Sequence, residues 1–416
     1  MRRSRPSISG PATLLALAGA ACTGNLHPFL GPLTTRPDAA VVPDASVPIG
    51  DCPSGLVGFA TMSDVGGEWD GGTTGMPTLQ LDGGTTGGDV SGAGPPVVVD
   101  AADSDALAQF SMYASDKMPG PLTIVVKGII AIPPPPDGGS GDLQKIRVSS
   151  NKTVIGANVL SNPSISGSGS GFVGGGLTLT GVSNVVIRNL VISMPNGDDA
   201  GDNVDAIHVE TSHQIWIDHC DLSSNGPAAD AGASFDGLID ISDGSDFVTV
   251  SWTHYHDHAN TGLLGRSDST AAAAEDTGKS HVTFDHDWYS NVTTGPRIRF
   301  GTVHVLNTFF DGVANYAIAS TDGADVRIEG SYFNDVAPMP GAGFGPVTTL
   351  LDGAMSAGNV DLPSGNMFPG SGKNNLTTPD DPLTLPYAYV PDSAGSVRVL
   401  VQSCAGTGKI TAPTGN

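Results

Sequence analysis

Short runs in which apolar and polar residues alternate recur along the chain, at the roughly 20 to 35 residue spacing expected of stacked coils. Three match closely: residues 184–190 (N-V-V-I-R-N-L), 214–220 (Q-I-W-I-D-H-C) and 247–253 (F-V-T-V-S-W-T). Residues 281–287 (H-V-T-F-D-H-D), 303–308 (V-H-V-L-N-T) and 326–331 (V-R-I-E-G-S) continue the series. Each has period two, which puts alternate side chains on opposite faces of a strand, and each ends in a polar or Gly-containing bend. The expected fold is all-β: a β-solenoid of stacked short strands with a short capping helix near its N-terminal end.

Residues 122–130 (L-T-I-V-V-K-G-I-I) read as a strand entering the stack, and residues 145–156 and 176–179 as further strands. Residues 101–117 are the best helix, with Leu107, Phe110 and Met112 or Tyr113 near one face, placed to cover the open end of the solenoid. The Gly-rich segments 71–76 and 82–88 and the run 133–142 (P-P-P-P-D-G-G-S-G-D) read as loops. Residues 397–402 (V-R-V-L-V-Q) read as one late strand. Asn189, Asn291 and Asn307 fall near strand ends, where stacked amides can satisfy bend backbone groups. Residues 51–416 are expected to form one domain.

The N-terminus reads as an export signal: Arg2, Arg3 and Arg5 precede the short apolar run 12–21, which is too short to span a bilayer. Residues 1–22 are taken as that signal, with an outer-surface lipoprotein through Cys22 as the variant reading, and 23–50 as a Pro/Ala/Asp-rich spacer. Export allows disulfides. Cys52 and Cys404 flank the folded region, so a bridge between them or two unpaired thiols both remain open, while Cys220 reads as a buried small hydrophobe.

With 18 Lys+Arg against 42 Asp+Glu, the net charge is −24. That excludes sequence-independent nucleic-acid binding, which needs basic surface. An acidic polymer would need a bound cation or a local basic patch. Asp205, Asp236 and Asp240 fall in consecutive coils, where equivalent corners converge and could hold Ca²⁺ through oxygen ligands; solvated turn aspartates are the plainer reading. In residues 296–301 (P-R-I-R-F-G), Arg297 and Arg299 share one strand face while Ile298 points inward. The pair suits planar carboxylates, or ion pairs with the acidic surface.

Together the segments V-I-R-N-L, D-A-I-H-V, I-W-I-D-H-C-D-L-S, D-G-L-I-D-I, V-T-V-S-W, L-L-G and P-R-I-R-F-G-T-V-H-V-L-N resemble the pectate lyase family of right-handed parallel β-helices, from about residue 52 to 409. The resemblance implies cleavage of polygalacturonate (pectate) by β-elimination. In that reaction calcium bridges enzyme and substrate carboxylate and acidifies the C5 proton, a base removes the proton, and the glycosidic oxygen leaves C4. By position, Asp205, Asp236 and Asp240 match the calcium ligands, with Asn203 where some members carry another Asp. Arg299 matches the second Arg of R-x-P-x-x-R, which contacts substrate carboxylate.

Two positions depart from the pattern. The first Arg of R-x-P-x-x-R, the proposed proton abstractor, is Thr294, and the substrate-binding Lys of D-H-x-K is Asn260. Arg297, Arg266 or a calcium-bound hydroxide are the stand-ins for the base. The resemblance therefore implies a secreted, calcium-dependent, monomeric lyase of reduced rate; the alternative is a non-catalytic β-helix binding acidic glycans through calcium. His219, His258, Trp216 and Trp252 are expected to be core residues.

Overall fold

In the computed structural model the chain runs repeatedly through three parallel sheets of ten, eight and eight strands. The described residues are 52–62, 84–88, 93–133, 145–158, 169–193, 205–224, 237–338, 344–349, 351–378 and 382–411. All of them belong to one compact unit, Asp44–Asn416. The signal and spacer segments, 1–22 and 23–50, lie outside them, as do residues 71–83 and most of the run 133–142.

Each coil gives one strand to each sheet in the order first, third, second. Leu122–Lys127, Ile129–Ala131 and Lys145–Arg147 make one coil, and Lys152–Gly156 begins the next. The six matched runs all supply the first sheet and lie side by side in it: Ser183–Arg188, His213–Asp218, Asp246–Ser251, His281–Asp285, Thr302–Leu306 and Asp325–Glu329. The repeat is thus a parallel β-helix. All strand pairs run in register, so like positions stack: Val185, Ile215, Val248, Val282, Val303, Val326 and Val360 form one inward ladder. None of these is more than 2% exposed, and each such side chain contributes about 1.5–3 kcal/mol by leaving water. From the third sheet Tyr255, Tyr289, Phe310 and Phe333 stack inward, continued by Phe368 beyond its last strand, with successive ring centroids 4.5, 4.8, 4.9 and 4.5 Å apart.

Four expectations need correction. Residues 122–130 are two strands, in different sheets, divided at Gly128 (φ +80°). Residues 397–402 are not a strand but part of helix α3, Ala394–Cys404. The valines there read equally with period two, but the buried set is Ala394, Val397, Val401 and Cys404, a helical spacing that packs on Phe309. The capping helix α1 is shorter than the pattern predicts, Ala106–Ala114, and buries Ala106, Phe110 and Ala114, while Met112 faces outward. Asn189, Asn291 and Asn307 do not stack on one another, although Asn189 donates to the Asn158 amide oxygen and the Gly156 carbonyl of the preceding coil. Asn189 and Asn307 take left-handed backbone (φ +52° and +50°) at one corner, but His219, Trp252 and His286 hold that corner in the coils between, with the Trp252 and His286 rings 4.0 Å apart. Asn291 also has positive φ, and donates to Asp257 in the preceding coil.

A second helix, α2 (Thr270–Asp276), is not among the elements read from the sequence, although Ser269 caps it by accepting from Ala272 N–H. Cys220 is buried, and burial pushes its thiol up to about 12. His219 and His258 are fully buried, and Trp216 and Trp252 nearly so, as core residues should be.

Cys52 and Cys404 are joined by a disulfide closing 352 residues, packed against Trp252. Cutting so long a loop should cost about 2–5 kcal/mol. A Cys52→Ser, Cys404→Ser double variant is expected to unfold at lower denaturant in guanidinium titrations; an unchanged midpoint would contradict a stabilising role.

An ion cluster near the C-terminal coils sets an acid limit. Burial works to raise the Glu329 carboxyl, but hydrogen bonds from His304, Arg327 and Tyr389 outweigh it and hold it at about 2. Burial likewise keeps His304 neutral, below its ordinary value, against the pull of Glu329. In both cases the unfolded chain takes up protons first, so stability present near neutral pH is lost as pH falls, from 6.5 for His304 and from 4.5 toward 2 for Glu329. The melting temperature is expected to drop with acidification, and Arg327→Met to flatten the lower limb; a slope unaltered by that change would remove the cluster from the account.

Candidate active site

Alternation along Ile207–Glu210 turns Ile207 and Val209 into the core, so His208 must face outward. Its partner in the next coil, Asp240 on Ile239–Ser242, faces the same way. Asp205, just before the first of these strands, reaches the same place. Its Oδ2 lies 2.7 Å from His208 Nδ1, and its Oδ1 accepts from Gly237 N–H at 2.8 Å. Asp240 Oδ1 accepts from Leu263 N–H at 3.0 Å. Ligand atoms of Asp205, His208 and Asp240 all lie within 4.8 Å of one another. Hydrogen bonding to Asp205 raises the His208 pKa against the pull of burial.

Gly237 is what lets the two carboxylates converge. A Cβ there would sit 2.5 Å from Asp240 Oδ1 and 3.2 Å from Asp205 Oδ1. Two carboxylates brought together, with backbone amides fixing one oxygen of each, are donors of the hard-oxygen kind calcium takes. Asp236 and Asn203, the other two expected ligands, lie outside the described residues. The sequence reading passed over His208, although alternation in A-I-H-V-E puts it on the outward face with Asp240.

The register carries this face onward. Asp240 pairs with Leu263, and Leu263 with Arg297, so Thr178, His208, Asp240, Leu263, Arg297 and Ala319 form one file across the second sheet. Ile298 is fully buried, while Arg297 and Arg299 point outward from Arg297–Arg299. Both grip Asp268 Oδ1, at 2.6 and 2.7 Å, and Arg299 Nη1 also donates to Gly265 carbonyl. Burial raises the Asp268 carboxyl, but Arg299 and Arg297 outweigh it and leave it below the usual value. Burial, and then the neighbouring Arg299 charge, lower Arg297. No sequence signal marked Asp268 as their anchor.

Thr294 and Asn260 meet where the third sheet turns into the second. They pair across adjacent strands, and Thr294 Oγ lies 3.2 Å from Asn260 Oδ1. Tyr316 bridges Thr294 on the other side, and its hydroxyl also bonds to Thr294. The two departures from the pattern are thus one uncharged corner, three residues ahead of Arg297. Arg266, the other arginine considered as a base, follows strand Gly262–Leu264 and is engaged by Asp243 (2.8 Å) and Glu275 (3.0 Å).

A coiled stack of three parallel sheets with a carboxylate pair and an arginine pair on one outward face fits a parallel β-helix that handles an acidic polysaccharide. Comparison with known proteins is specific: the chain belongs to the pectate lyase family, whose model matches residues 74–410. It is 36% identical over 329 residues to pectate lyase plyB of Emericella nidulans, covering 78% of this chain and 86% of that one. With pectate lyase B of Colletotrichum gloeosporioides the identity is 34% over 305 residues, 72% and 78% of the two chains. Among solved structures, a Bacillus sp. N165 pectate lyase in complex with trigalacturonate superposes with a TM-score of 0.65 at 27% identity, over 86% of this chain and all of that one. Pectate lyase II of Xanthomonas campestris gives 0.58 at 25% identity, over 78% and 96%. The protein is a polysaccharide lyase that cleaves pectate, and the reading as a non-catalytic glycan binder is not favoured.

Proposed function

We propose that cleavage is a calcium-assisted β-elimination on the outward face of the second sheet, with Asp205 and Asp240 holding calcium and Arg297 taking the C5 proton. The supporting observation is the file His208, Asp240, Leu263, Arg297. It puts the guanidinium two strands, about 10 Å of backbone, beyond the carboxylates. Calcium would neutralise the substrate carboxylate and so acidify the proton at C5. Asp236 and Asn203 are assigned to the same ligand set from sequence position.

Arg297 is the base assigned here because burial and Arg299 both lower its pKa, the direction a base needs, although Asp268 opposes them. As C5–H gives up its proton, its electron pair forms the C4–C5 double bond. The C4–O bond breaks, and the departing oxygen takes a proton from water. Arg299, fixed by Asp268 and Gly265, orients substrate carboxylate with the rest of its fork. The uncharged Thr294–Asn260 corner supplies neither the base nor the substrate-binding cation of the family pattern, so Arg297 stands in for the base at a lower rate.

Arg297→Ala is expected to lower kcat by about 10²–10⁴-fold, while Arg297→Lys retains activity with its pH profile displaced to lower pH. An Arg297→Ala enzyme as fast as the parent would remove Arg297 from the chemistry.

We also assign the chain to the secreted class. The basic start and apolar run support this, as does the Cys52–Cys404 disulfide, which suits an oxidising compartment. No helix among the described residues is long and apolar enough to cross a membrane.

A further inference from the structure

A second cluster of ligating side chains lies on a different sheet and plays no part in the elimination. Asp221 on Asp221–Ser223 pairs directly with His254 on the neighbouring strand His254–Asn260, and His256 follows two residues on, facing the same way. One ligand atom from each of the three lies within 4.8 Å of the others. Asp221 Oδ1 is 3.0 Å from His256 Nε2, and Oδ2 is 3.5 Å from His254 Nδ1. Ligands at 2.0–2.1 Å around a tetrahedral ion stand about 3.4 Å apart, so these separations bracket what zinc needs.

The outer nitrogens are anchored as well. His256 Nδ1 meets Asp257 Oδ2 at 2.7 Å, and His254 Nε2 meets Ser290 Oγ at 2.8 Å. A carboxylate or hydroxyl behind each imidazole fixes which nitrogen faces inward, as metal-binding histidines generally require. The side chains keep 15–24% of their surface exposed, so an ion can reach them. The C-terminal segment closes one side: a Cβ on Gly406 would lie 3.5 Å from His254 Cβ and 3.7 Å from Asp221 Oδ2.

We propose that Asp221, His254 and His256 form a binding site for a divalent transition metal of the zinc type, separate from the carboxylate pair of the second sheet. Imidazole donors suit zinc, copper and nickel rather than calcium. The ion takes the place of the proton between His256 Nε2 and Asp221 and releases it on entry. Three protein ligands leave a fourth position for water. The two imidazoles now stack with centroids 4.4 Å apart and planes 26° apart, and His254 stacks on Trp288 at 3.9 Å. Both lone pairs can meet one ion only if that angle opens, and a metal bound at His254 would stand beside the Trp288 ring it stacks on. The bound ion would tie two successive coils together beside the C-terminal segment.

The test is a zinc titration of metal-free full-length protein by calorimetry, in excess calcium, with tryptophan fluorescence followed in parallel. One zinc per chain is expected, with a fluorescence change that is absent in Trp288→Phe. Affinity should fall at least about 10-fold in His254→Gln and in His256→Gln, and about 10–100-fold in Asp257→Asn, which leaves all three ligands in place. Melting of each metal-free variant establishes that it is folded. Cobalt loaded into the unmodified protein gives a reading independent of any substitution: intense visible bands of a four-coordinate ion are expected. No zinc uptake by the unmodified protein, uptake unchanged in folded His254→Gln and His256→Gln, or only the weak bands of six-coordinate cobalt would each overturn the proposal.

Discussion

Replacing Asp240 with alanine is expected to lower the initial rate on polygalacturonate by roughly 10³-fold, the loss that several kcal/mol of metal-derived stabilisation represents. The reason lies in how the carboxylates are held. Leu263 N–H fixes one oxygen of Asp240 and Gly237 N–H one oxygen of Asp205. Without Asp240 the other described ligand, Asp205, is already paired with His208. Calcium affinity, measured by calorimetry, should fall together with the rate. Gly237→Ala gives the same prediction without deleting a ligand, because its Cβ would press to 2.5 Å from Asp240 Oδ1 and force the pair apart. Normal calcium affinity in both variants would place the metal elsewhere.

The second large effect runs the other way. Thr294→Arg restores the residue of the family pattern and, by offering a better-placed base than Arg297, is expected to raise kcat, by at most about 10²–10⁴-fold. Thr294 is 6% exposed and packed between Asn260 and Tyr316, so the longer side chain must leave along the corner toward Arg297. Some loss of melting temperature should accompany the gain. Asn260→Lys, which faces position 294 directly across the strands, should add substrate affinity, seen as a lower KM. A folded Thr294→Arg enzyme no faster than the parent would mean that Arg297 already does all that a second arginine could.

The contrast between these positions shows what a sequence can carry. Period-two alternation is a local property that every coil repeats, so the six first-sheet runs and the inward Ile298 were readable directly. Convergence of Asp205 with Asp240 is expected from coil stacking, but register puts His208 opposite Asp240, and Asp205, three residues earlier, reaches it across the bare Gly237. His208 is legible by strand alternation, which puts it on the outward face with Asp240. Asp268 was not readable. It comes from the segment leading to α2, and only the folded path brings it under Arg297 and Arg299. Helix α3 failed for another reason: Val397, Val399 and Val401 satisfy a strand's alternation as well as a helix's stripe, and packing on Phe309 decided between them. The Cys52–Cys404 pairing stayed open because thiols 352 residues apart are related only through the finished fold.

The most direct measurement is the ultraviolet absorbance of unsaturated uronate ends released from polygalacturonate by the unmodified protein, with calcium and then with excess chelator. The account predicts a slow, steady rise that stops on chelation and resumes when calcium is returned. A rise that continues undiminished in chelator would contradict the calcium site at Asp205 and Asp240, and no rise under either condition would contradict the elimination itself.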